Sequence, residues 1–230
     1  MERTDAKAHQ RLPLKRTDIK IIALDFDGTL IESNNIKDQA FKTIFSDWPD
    51  HQETMMEWHL AHNAIDRREK FRYFVKDVLG LPDQDDLIAE LTKRFSMLTR
   101  QSIIDCPLVQ GVRAFLENIH CRVAVYLLSA TPQLYLNEII EERGLGKYFK
   151  EVFGAPIDKV EILKKIMASE KISAGEILFI GDSPEDQQAA ASLEIFFIGR
   201  RSERPLDDST SPVLPDFAKI KDYLCKYYGL

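Results

Sequence analysis

Apolar residues follow two rhythms along this chain. Four short, nearly unbroken runs, over residues 21–24, 123–128, 177–180 and 195–198, are rich in Ile, Val, Leu and Phe and end abruptly in small or polar residues. Such runs predict strands buried on both faces. Between the second and third, residues 133–143 and 160–168 have helical spacing, and the first of these closes on Gly144, a helix stop. Strands alternating with helices predict an α/β protein with a parallel sheet covered on both faces.

Residues 33–104 hold helical patterns and no convincing strand. Ala40, Phe41, Ile44 and Phe45 make one apolar face, Phe71, Phe74, Val75 and Val78 a second, and Leu87, Ile88, Leu91, Phe95 and Leu98 a third. Gly80 and Pro82 separate the last two. The expected organisation is a loose tail over 1–18, an α/β core from 19–32 and 105–230, and a small all-helical insert over 33–104, directly after the first strand. Residues 217–228 predict a closing amphipathic helix. The loop over 200–215, rich in Ser, Asp and Pro, carries no predicted element.

A hydrophobic content of 44% with 30% charged residues supplies a core for a chain of 230 residues. The net charge of -6 argues against a surface built to neutralise nucleic acid or an acidic membrane, but leaves room for a local basic pocket and a small anionic substrate. Cys106, Cys121 and Cys225 form no CxxC pair and no even-numbered framework, which predicts free thiols in a reducing compartment. The first eighteen residues lack the apolar run of a secretory signal and no later stretch approaches a membrane span, so a cytoplasmic protein is expected.

The chemistry gathers where the runs end. The first leads into Asp25, Phe26, Asp27, Gly28, Thr29 and Leu30. Ligands collect at the carboxyl ends of parallel strands, and alternation points Asp25 and Asp27 to one side with Phe26 turned to the core. Gly28 permits a tight turn. The alternative is a strand-ending turn in which Asp27 satisfies loop amides. The second run ends in Ser129, Ala130 and Thr131, where a hydroxyl and backbone amides can hold phosphate oxygens without adding negative charge; an ordinary helix cap before Pro132 is the other reading. Lys159 stands where a helix begins and can balance a transferring phosphoryl group, or be a solvated charge as Lys164 and Lys165 are expected to be. The third run ends in Gly181, Asp182, Ser183, Pro184, Glu185 and Asp186. Asp182 offers the hard oxygen that Mg2+ accepts, while Asp186 orients Lys159 or the metal shell, or favours the helix start.

In this order the four elements resemble the haloacid dehalogenase-like superfamily: DxDGT at Asp25 to Thr29, a strand ending in Ser at Ser129, a lysine at Lys159, then GDxxxD at Gly181, Asp182 and Asp186. The resemblance covers about 19–200 and implies a Rossmann-like core with a helical cap, in the branch of phosphoglycolate phosphatase and beta-phosphoglucomutase. It implies Asp25 as the nucleophile forming an aspartyl phosphate and Asp27 as general acid and base. It further implies Mg2+ held by Asp25, the Asp27 carbonyl and Asp182, with Ser129, the Ala130 amide and Lys159 cradling the phosphoryl group and with Ser183 and Asp186 in support. An acid at Asp27 points to phosphate esters and away from the dehalogenase and phosphonate-cleaving branches. Hydrolysis of a small phosphorylated metabolite is expected, with a sugar phosphomutase or a noncatalytic binding module as alternatives.

Residues 65–70 of the insert loosely resemble the GxSR-type cap loop of sugar-phosphate enzymes, although Asn63, Ala64 and Asp66 depart from it. Arg67 and Lys70, one helical turn apart, are candidates for meeting an anionic or hydroxyl-rich part of the substrate; a salt-bridged helix surface is the alternative. His59 and His62 lack the spacing of a zinc site and read as polar-face histidines.

Overall fold

The computed structural model describes residues 18–62, 65–81 and 84–230. Apart from Asp18, the expected tail lies outside the described residues, as do Asn63, Ala64 and Pro82. The strands are β1 (Ile21–Asp25), β2 (Ala124–Pro132), β3 (Glu151–Ala155), β4 (Ile177–Gly181), β5 (Phe196–Arg200) and β6 (Val213–Leu214). They form one sheet in the order β3-β2-β1-β4-β5-β6, with every pairing parallel. β1 is central, and its register sets Asp25 opposite Leu128 of β2. Two carboxylates at its end therefore lie between the ends of β2 and β4.

Alternation along the strands divides the core in two. Ile22, Leu24, Leu127 and Ile180 face α5 (Val112–Ile119), α6 (Gln133–Glu142) and α9 (Phe217–Tyr228). Ile21, Ala23, Tyr126 and Phe179 face α7 (Lys159–Glu170) and α8 (Pro184–Ser192). Phe26 continues the first set and is fully buried. It anchors the chain between the two aspartates. Phe26→Ala should lower the unfolding free energy by ~3–5 kcal/mol, the usual cost of a large cavity, measured by denaturant titration; a loss below ~1 kcal/mol would mean that the ring is not part of the packed core.

Between β1 and α5 the chain forms α1 (Asn34–Phe45), α2 (Pro49–Ala61), α3 (Arg67–Tyr73) and α4 (Asp85–Asp105), a helical insertion with a core of its own. Phe41 meets Phe95 at 4.5 Å and Phe45 meets Phe74 at 5.0 Å between ring centroids. After α3 the backbone widens into a π-type turn over Phe74–Val78.

The structure adds to and corrects the sequence reading. β3 was not predicted because only Val152 and Phe153 interrupt its mixed composition, and β6 is a two-residue strand inside the loop left without an element. α2 buries only Met55 and His59, so it has no apolar stripe to read. α5 does carry one, in Val112, Phe115, Leu116 and Ile119, and is a further unpredicted helix. Leu98, assigned to an apolar face, is exposed.

Candidate active site

The turn after β1 sets the first two carboxylates. Gly28 adopts φ +78°, and its amide donates to the Ile31 carbonyl at 2.9 Å. A Cβ at Gly28 would stand 2.2 Å from Asp182 Oδ2 and 2.4 Å from Asn34 Nδ2, so only glycine lets the turn approach these groups. Arg200, at the end of β5, donates to the Gly28 carbonyl at 2.9 Å and pairs with Glu32, which braces the turn from behind.

Asp25 is buried, and the Lys159 ammonium donates to it at 2.6 Å. The same ammonium donates to Asp186 at 2.5 Å. Lys159 reaches both because it opens α7, where the Asp158 side chain caps the Val160 amide at 2.8 Å. Lys164 and Lys165 point outward to Glu161 and Glu151, as solvated charges should. Asp186 is fixed by a capping box in which it accepts from Ser183 Oγ at 2.8 Å, so it both starts α8 and orients Lys159.

Asp182 accepts from Asn34 Nδ2 at 2.9 Å and Thr29 Oγ1 at 3.3 Å. Oxygens of Asp25, Asp182 and Asp186 lie within 4.8 Å of one another. Burial pushes the Asp25 carboxyl up to about 7; Lys159 opposes this, while Asp186 and Asp182 add repulsion. Asp182 is raised for the same first reason, against the pull of Arg204. Three buried acids beside one lysine favour additional positive charge. Hard carboxylate oxygens suit a divalent cation, and Asn34 Oδ1, buried with no hydrogen-bond partner among the described residues, can accept from a water in its shell. The residues present thus fit a divalent metal.

Asp27 faces another set of groups. Its oxygens accept from Ser33 Oγ at 2.8 Å, Thr131 Oγ1 at 2.9 Å and Ser129 Oγ at 3.4 Å, and it forms an ion pair with Lys37. Burial would raise this carboxyl, but Lys37 and the hydroxyls override it and hold Asp27 at about 2. Ser129 is buried, and its Oγ also accepts from the Thr131 amide at 3.0 Å. Ala130 lies between two cavities, one of about 780 Å3 bordered by Lys159 and one of about 40 Å3 bordered by Lys37.

The insert contributes to the small cavity. Arg67 and Lys70 are both buried, which rules out the salt-bridged helix surface. The Arg67 guanidinium lies 5.0 Å from the ring centres of Phe95 and Tyr135 and donates to Ser96 Oγ at 2.9 Å. Lys70 meets His59 Nδ1 at 2.8 Å, while His59 Nε2 pairs with Asp38 Oδ1 at 2.9 Å. His59 is therefore a buried link and not a polar-face residue; His62 stacks on Trp58 at 4.3 Å. Sequence reasoning missed Lys37, Ser33, Asn34, Arg200 and Arg204. A signal for Ser33 and Asn34 was available in their nearness to the DxDGT turn; Lys37, Arg200 and Arg204 had none.

Fold and site together define a hydrolase acting on phosphate esters. The haloacid dehalogenase-like hydrolase family matches residues 22–200, and the chain belongs to that family. A phosphoglycolate phosphatase of Vibrio parahaemolyticus is 29% identical over 218 residues, spanning 89% of this chain and 93% of that protein. One of Aliivibrio fischeri is 28% identical over 219 residues, spanning 86% and 93%. Among solved structures, a predicted phosphoglycolate phosphatase from Haemophilus somnus superposes with a TM-score of 0.70 at 18% identity, over 90% of this chain and 98% of that one. CbbY of Rhodobacter sphaeroides, in complex with xylulose 1,5-bisphosphate, gives 0.69 at 15% identity over 87% and 96%. The chain is a phosphatase of this family, and among the described residues no helix is long and apolar enough to cross a membrane.

Proposed function

We propose that the chain is a Mg2+-dependent phosphatase that hydrolyses a small phosphate monoester through a phosphoryl group carried on Asp25. The observation supporting this most is the convergence of Asp25, Asp182, Asp186 and Lys159 at the carboxyl ends of β1 and β4 and the starts of α7 and α8, with Asp27 paired to Lys37.

Asp25 attacks phosphorus and the ester P–O bond breaks. Asp27 delivers a proton to the departing alkoxide, then takes one from the water that attacks the aspartyl phosphate, releasing phosphate and restoring Asp25. Asp27 is anionic while paired with Lys37, so it becomes an acid only after Lys37 turns toward the bound substrate and Asp27 takes up a proton from solvent. Ser129, the Ala130 amide and Lys159 hold the phosphoryl oxygens during transfer. Asp25, Asp182 and the Asp27 carbonyl would hold Mg2+, whose charge lets an anionic carboxylate approach an anionic phosphate. Asp186 and Ser183 act indirectly, by fixing Lys159. The insert over 33–104 serves as a cap that excludes water, with Arg67 and Lys70 meeting the leaving group. The three free cysteines fit a cytoplasmic setting.

Release of p-nitrophenol from p-nitrophenyl phosphate tests the reading. Turnover should stop on exhaustive chelation and return with Mg2+, and Asp182→Ala should raise the Mg2+ concentration required by at least about tenfold. Undiminished activity after chelation removes the metal assignment. Absence of turnover on any phosphate monoester removes the phosphatase itself.

A further inference from the structure

Two unequal cavities meet at Ala130 and Ile65. The smaller, of about 40 Å3, is bordered by Lys37 from α1, His59 from α2, Arg67 and Lys70 from α3, and Arg204 from the loop after β5. Among the described residues no carboxylate lines it. Of the acids near it, Asp27 is engaged with Lys37 and Asp38 with His59, while Asp66 and Glu185 border the larger cavity. Crowding of like charge is evident in Lys70, which burial first, and then Arg204 and Lys37, drive down to about 7. An anion entering this cavity offsets that repulsion. Its volume leaves space on the order of one or two waters, which suits a planar carboxylate and is too small for a second phosphoryl group with its oxygens.

The larger cavity, of about 780 Å3, opens from Ser129 and Lys159 and has an acidic rim of Asp66, Glu69, Asp158 and Glu185. Asp66 Oδ2 and Glu185 Oε2 are buried and, among the described residues, accept no hydrogen bond. A buried acceptor left unmatched is costly, so this wall calls for donors. Hydroxyl groups supply them. The space also exceeds what a two-carbon acid occupies and falls in the range usual for larger small-molecule ligands.

We infer that the substrate is the phosphate ester of a polyhydroxy carboxylic acid longer than two carbons. Its carboxylate enters the cavity formed by Lys37, Arg67, Lys70 and Arg204, and its hydroxyls donate to Asp66 and Glu185. The inference rests on the phosphatase reading above and divides the leaving group between two walls of opposite polarity.

Four esters test it at saturating Mg2+: p-nitrophenyl phosphate, phosphoglycolate, glucose 6-phosphate and 6-phosphogluconate. The sugar acid should show kcat/KM at least about tenfold above both phosphoglycolate, which lacks the hydroxyls, and glucose 6-phosphate, which lacks the carboxylate. Arg204→Ala and Lys70→Met should each lower the ratio of 6-phosphogluconate to glucose 6-phosphate by about tenfold, and Glu185→Ala should lower that of 6-phosphogluconate to phosphoglycolate. These are ratios within one preparation, so partial misfolding cancels. Turnover of p-nitrophenyl phosphate with equal or better use of glucose 6-phosphate or phosphoglycolate overturns the inference and leaves the phosphatase standing; so do unchanged ratios in the variants. No turnover of any of the four overturns both.

Discussion

Asp25→Asn should abolish hydrolysis of every phosphate monoester while the protein remains folded. The amide has the shape of the carboxylate but cannot attack phosphorus, and loss of a covalent nucleophile removes several powers of ten, certainly more than about a hundredfold. Folding should survive because Asp25 is an electrostatically costly residue. It is buried and crowded by Asp182 and Asp186, and Lys159 is the main group favouring its charge. After the substitution Lys159 retains Asp186 as its partner at 2.5 Å. Two measurements separate chemistry from structure. The thermal transition should stay cooperative, and a hydroxylamine-labile phosphoprotein should accumulate on rapid quenching of the wild-type protein but not of the variant. More than about one hundredth of wild-type turnover in the variant excludes Asp25 as the nucleophile.

The sequence displayed this half of the site clearly. Asp25, Asp182, Asp186 and Lys159 each stand at the end of a strand or the start of a helix, and parallel topology carries such positions to one edge of the sheet. The unbroken apolar runs made four of the strands visible because both faces of a central parallel strand are covered. β3 escaped notice for the converse reason, as an edge strand with an exposed Glu151. Lys37 and Arg204 were not legible as site residues. Nothing in the surroundings of Lys37 separates a lysine on the polar side of α1 from one that pairs with Asp27, since the distinction depends on how α1 sits against β2. His59 was misread because α2 has no apolar stripe, so a buried polar residue on it had no pattern to stand out from.

Asp27→Asn should impair catalysis in proportion to how much the leaving group needs a proton. An alkoxide leaving without protonation is a strong base, so on a sugar phosphate the variant should lose about 10²–10⁴ in kcat, the usual contribution of a positioned acid. p-Nitrophenolate departs unaided, and formation of the aspartyl phosphate from p-nitrophenyl phosphate should change far less. The second half-reaction still uses Asp27 as base toward water, so the contrast belongs to single-turnover formation of the phosphoprotein and not to steady-state rate. Ser33, Thr131 and Lys37 surround Asp27 with donors, and an asparagine there can keep its carbonyl oxygen toward Ser33 or Thr131 but turns an amide toward the other set. Some misplacement of Lys37 is therefore expected, and it should affect both esters alike. What remains after dividing the two rates is the proton. A ratio of phosphorylation rates for the aryl and alkyl esters that matches wild type would show that Asp27 only positions Lys37 and that another group protonates the leaving alcohol.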